Sequence, residues 1–315
     1  MYSQLSTTER ARPIFRDAAR RVVVPLTSSE VDDLSQRVSL LLDVKPDATA
    51  KLKEITTNIV LRPSSSVATE MAVRLRQLLR VGDVDPLFNL PSLLEDRLNV
   101  FLFPIEQNKL GGGCALINGS AFIFIAEAAQ DEALFTCAHQ LGHLATLSAR
   151  RGNDDGAILD PADDGANFVK GPYEHFADAF ALELLIPNPG LGIALQKVRN
   201  LLRVSDGPVG DIELLYLSRI FGVNFLAIAK RCERARLLPR GGASLLNNFL
   251  VNRFGGAERR AEELGVPPRM TINIAPVPRT IELAISDQIE RGKARTDKAS
   301  TVQSRLRTGL TQAPR

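Results

Sequence analysis

Leu134-Phe135-Thr136-Cys137-Ala138-His139-Gln140-Leu141-Gly142-His143 decides how this chain is read. Its two histidines stand four residues apart. On a helix that spacing sets both rings on one face, one turn apart, so both can reach a single metal ion. Leu134, Ala138, Leu141 and Ala145 recur at helical spacing and point toward a core. The spacing predicts a helix over about 131–149, with Asp131 and Glu132 favouring its N-terminus through the helix dipole. The chain has three histidines, so two of them fall in this one turn.

The pattern differs by one residue from the zinc-peptidase motif H-E-x-x-H: Gln140 stands where the motif has Glu. In such a motif the Glu is the general base. Gln has nearly the same shape and can hydrogen-bond a water, but it cannot accept that water's proton at neutral pH. Losing a general base costs about 10²–10⁴ in rate. Metal affinity should survive, because position 140 is not a ligand. A third ligand must come from elsewhere. Glu174 is the best candidate, in the first turn of a helix that Pro172 opens and Pro187 and Pro189 close. Asp178 follows four residues later on the same face, where it can hold the distal N–H of a ligating histidine.

Outward from this pair, the fold class reads as α+β: a mainly helical chain with a small, mostly antiparallel sheet packed on the histidine helix. Residues 100–105, 114–117 and 121–125 are apolar and strand-like, and Asn118-Gly119-Ser120 between the last two is a hairpin signal. Gly111-Gly112-Gly113 is expected to be a flexible link at the sheet edge. The Asp- and Gly-rich stretch 152–171, with Asp154, Asp155, Asp160, Asp163 and Asp164, is expected to be a solvated loop; it lacks calcium-loop spacing. If it borders a cleft, it would favour a basic substrate segment. The chain divides into a helical region over 1–82, the metal-binding core over 83–190, a helix-turn-helix-like region over 191–242, a mixed segment over 243–290 and a basic tail over 291–315. Serines 28–29 and 64–66 are expected to cap the helices of the first region.

Two signatures together carry a family resemblance. Residues 134–143 are similar to the F-T-x-A-H-E-x-G-H signature of the ImmA/IrrE metallopeptidases. Residues 174–187 resemble the second signature of that family, E-x-x-A-[N/D]-x-F-A-x-x-L-L-x-P. The resemblance covers about 92–187 well and extends less distinctively to 238. It implies a compact, gluzincin-like (zincin-type) metallopeptidase core and a Zn2+-dependent endopeptidase. Carried over by position, His139, His143 and Glu174 are its ligands and Gln140 stands at its base position. It also implies a protein substrate, a transcriptional repressor or antitoxin-like regulator, in stress, mobile-element or phage-defence control. The intact remainder of the constellation favours an inactivated, engineered form of an active peptidase. The alternative is a natural pseudopeptidase acting as a zinc-containing scaffold.

Other signals are weaker. Tyr173 and His175 are candidates for stabilising an oxyanion or touching substrate, although packing and surface exposure explain them as well. The segment 214–238, with Arg231, Arg234 and Arg236, allows a DNA reader, but its apolar content favours a packing or docking pair. A net charge of +3 does not by itself announce nucleic-acid binding. No apolar run is long enough to span a membrane, and the N-terminus shows no secretory pattern. Three cysteines without a pairing pattern suit a reducing compartment, so the cytoplasm is the expected location.

Overall fold

A four-stranded sheet, apolar on both faces, organises the chain. The computed structural model describes residues 6–21, 26–56, 63–106, 109–126, 132–151, 154–162, 171–204, 207–272 and 274–290. The strands are β1 (Val100–Ile105), β2 (Leu110–Ile117), β3 (Ser120–Ala126) and β4 (Gly156–Pro161). Their order is β1-β3-β2-β4. β2 runs antiparallel to both β3 and β4, while β1 is parallel to β3. The hairpin between β2 and β3 turns on Asn118 and Gly119, whose φ angles of 52° and 76° match the twist of a two-residue turn.

Alternation along the strands builds two cores. Leu102, Cys114, Leu116, Ile123 and Ile125 face one side. Phe101, Phe103, Phe122, Phe124 and Leu159 face the other. A sheet covered on both faces reads as continuous apolar runs, as 100–105 and 121–125 do. The second face is covered by α1 (Thr7–Arg21), α2 (Ser28–Val44) and the residues around α13 (Arg279–Glu290). Phe15 of α1 meets Phe124 edge-on, with ring centroids 5.5 Å apart. The first face is covered by α3 (Lys53–Thr56), α4 (Ser65–Leu78), α5 (Leu90–Leu98), α6 (Ala133–Arg151) and α7 (Pro172–Leu185). α4 lies against α7 within the same core.

Two expectations are corrected here. Gly111-Gly112-Gly113 is not a link; it lies within β2. A Cβ on Gly113 would come 2.8 Å from the Leu159 side chain and 2.9 Å from the Ile158 carbonyl oxygen, so glycine lets β4 press close. The Asp-rich stretch is not wholly loop, because 156–161 form β4. Its Ala-Ile-Leu run pairs with β2 and buries Ala157 and Leu159, which outweighs the polar flanks. Asp163 and Asp164 lie outside the described residues, as does the tail 291–315.

Caps follow side-chain chemistry closely. Thr27 and Glu30 form a reciprocal capping box at α2, and Ser64 caps α4. After α8 (Asn188–Leu202) come α9 (Asp211–Phe221) and α10 (Phe225–Arg234), crossing at 105° around Gly222. That angle is helix-turn-helix-like. Arg231 of α10 is nonetheless buried: it donates to Glu183 at 2.8 Å and to the Ile186 carbonyl at 2.8 Å, tying α10 to α7. Its guanidinium is thus spent inside and does not face a groove. α11 (Gly242–Phe254) and α12 (Ala257–Glu263) complete what was expected as a mixed segment. Among the described residues no single helix is long and apolar enough to cross a membrane.

Glu95 on α5 is buried, and burial pushes its carboxyl up to about 7. A backbone hydrogen bond at Arg279 opposes this, Asp96 adds to it, and Thr280 and Lys45 oppose it. The folded chain therefore keeps a proton that the unfolded chain loses above its usual 4.5, and stability falls as pH rises from 4.5 to 7. Thermal melts should show the unsubstituted chain losing more stability than Glu95→Gln between pH values either side of this window. The two should differ least at the acidic end.

Candidate metal centre

Gly142 sets the distance between α6 and α7. A Cβ there would lie 3.0 Å from the Ala177 Cα and 3.1 Å from Phe180. Without it the two helices touch backbone to backbone, and Glu174 in the first turn of α7 reaches both histidines. His139 Nε2 and His143 Nε2 are 3.0 Å apart. Glu174 Oε1 is 3.1 Å from His143 Nε2, and Glu174 Oε2 is 3.4 Å from His139 Nε2. Asp160, from β4, joins them: its Oδ2 is 3.4 Å from His139 Nε2 and 3.8 Å from His143 Nε2.

These separations fit a metal. Ligand atoms about 2.0–2.1 Å from a tetrahedral zinc stand about 3.3–3.4 Å from one another. The four side chains offer donor atoms that all lie within 4.8 Å of one another. His143 is 1 % exposed and His139 8 %, so the donors are withdrawn from water. Burial opposes protonation of His139, but Asp160, Asp178 and Glu174 outweigh it and raise the imidazole well above its ordinary value. Burial likewise raises Glu174, and the two imidazoles more than offset it, holding its carboxyl well below the usual range. The arrangement calls for positive charge, which a divalent cation supplies.

Asp178 Oδ1 lies 3.1 Å from His139 Nδ1, close but off-line for an N–H donor. The Gln140 side chain is buried, and its amide N–H donates to Asp160 Oδ2. Its own Oε1 has no hydrogen-bond partner among the described residues. Above these groups lies a cleft of about 460 Å³, lined by Phe135 and Thr136 of α6, by residues 157–162 and by Arg21 of α1.

With this geometry in view, residues 96–233 match the family model of the peptidase M78 group, described as an IrrE N-terminal-like domain. Over that segment the chain is similar to that family. The matched segment runs from α5 to α10 and holds all four donors. A search of curated proteins gave no match. The matched segment thus resembles a peptidase-type unit and carries a side-chain cluster able to hold a metal.

The structure brings together His139, Gln140, His143, Glu174 and Asp178. Tyr173 and His175 stand apart from the described lining of the cleft. The Arg150 guanidinium sits 4.9 Å over the Tyr173 ring, and His175 is exposed and lines a second hollow with Lys230. Asp160 was missed as a site residue. Its signal was present: it ends an apolar Ala157-Ile158-Leu159 run, and strand alternation turns Ile158 and Asp160 to one face.

Gly142→Val should force α6 and α7 apart. Denaturant melts are expected to show a loss of about 1–3 kcal/mol, as overpacking does. Competition with a chromophoric chelator should show weaker zinc binding, because Glu174 moves away from both rings.

Proposed function

We propose that this protein is a zinc-dependent endopeptidase in type, directed at a partner protein, and that Gln140 leaves it able to hold that partner far better than to cut it. The observation that carries this reading is the convergence of His139, His143 and Glu174 on one point, with residue 140 beside them at the base of the cleft. A zinc ion held there would supply Lewis acidity, polarising a peptide carbonyl and acidifying water. The chain's own residues do the rest. β4 is an edge strand among the described residues and lines the cleft. Unpaired N–H and C=O groups of an edge accept an extended peptide as an added strand. Glu132 and Asp178 share the cleft with the donor carboxylates, and Arg21 is the cation in its described lining, so a basic segment suits it.

The partner class that accords with the IrrE-like resemblance is a transcriptional repressor or antitoxin-like regulator, in stress, mobile-element or phage-defence control. The cytoplasm is the compartment in this reading, in keeping with three buried free cysteines. A second reading is a zinc-containing scaffold that sequesters its partner and never cleaves it. The hydrogen bond from Gln140 to Asp160 favours it, because the amide then has a partner of its own.

The test is incubation of the zinc-loaded chain with the protein encoded beside it. Gln140→Glu should produce a discrete cut, about 10²–10⁴ faster than the unsubstituted chain. A chelator or His143→Ala should abolish the cut. Tight binding with no cut in the Gln140→Glu variant would sink the peptidase reading and leave the scaffold.

A further inference from the structure

We infer that Asp160 is a fourth metal donor, held in place by Gln140, so that the centre is closed. This rests on the metal-centre reading above and adds a residue and a consequence to it. Asp160 Oδ2 lies 3.4 and 3.8 Å from the two imidazole nitrogens, beside contacts of 3.0–3.4 Å among the two histidines and Glu174. It therefore occupies the fourth corner of the donor set. Structural zinc sites carry four protein ligands, whereas catalytic ones carry three and keep the fourth position open.

The sheet puts Asp160 there by register. Asp160 pairs with Gly112 of β2, so both face α6. A Cβ on Gly112 would stand 3.3 Å from Gln140 Nε2 and 3.0 Å from Thr136 Cγ2. The absent side chain gives the amide its room. Gln140 then donates to the same Oδ2 that faces the histidines. A Glu at 140 has no N–H to give when ionised, and it would set two carboxylates against each other. The residue at 140 and the acid at 160 are therefore matched. Gln140 removes the base and, in addition, fastens a side chain over the position a substrate carbonyl would need. The site takes a divalent cation of zinc's coordination habit through two imidazoles and two carboxylates.

The test uses the full chain loaded with Co2+ in place of Zn2+, and acetohydroxamate as a small metal-seeking probe. The visible spectrum of the unsubstituted chain should not respond to acetohydroxamate at concentrations that saturate Asp160→Ala. Zinc affinity, measured by chelator competition, should fall in Asp160→Ala by at least the roughly 10–100-fold that loss of an outer hydrogen-bonding partner of a ligand costs. Gln140→Glu should also become responsive, because it releases Asp160. Asp160→Asn, of the same shape, with far-UV circular dichroism on each variant, separates a lost donor from a lost fold. Equal zinc affinity and equal probe response in the unsubstituted chain and Asp160→Ala would overturn the closed centre alone. An unsubstituted chain that takes up no metal on elemental analysis would overturn the metal-centre reading itself.

Discussion

The rest of the centre depends on one close approach, the backbone contact of α6 with α7 at Gly142 and Ala177. It sets how near a carboxylate on one helix can come to imidazoles on the other. Hydrophobic packing supplies the force behind it: Leu141, Leu144, Ala177, Phe180 and Leu184 are each fully buried. Desolvation then raises the cost of leaving the donors uncompensated, since buried ionisable groups without partners are expensive. A core contact and an electrostatic demand thus converge on the same few ångströms.

Much of this was legible in the sequence, because its signals are local. The strand over 100–105, the Asn-Gly turn, the histidine helix and the Pro172 start of α7 each rest on propensities of a few neighbouring residues. The two histidines and Glu174 followed from helical spacing and a resemblance. Gln140 could be read as a missing base from its position alone. The family match over 96–233 agrees with the resemblance itself.

What was not legible was set by pairing partners distant in sequence. The three glycines at 111–113 look like a hinge until β4 and α6 are seen pressing on them. Asp160 looks like one acid among many until the register opposite Gly112 turns it to α6. Arg231 resembles a phosphate-binding cation until Glu183, far away in sequence, neutralises it inside. In each case a partner distant in sequence decides what the local pattern leaves open.

The second face of the sheet has a practical consequence. Phe101, Phe103, Phe122 and Phe124 all lie within the matched segment, but the helices that shield them, α1, α2 and α13, lie outside it. Excising 96–233 as a minimal domain would bare a wall of aromatic rings to water, a surface that drives self-association. The flanking helices are therefore part of the unit that must be expressed, even though the chemistry of the centre never touches most of them.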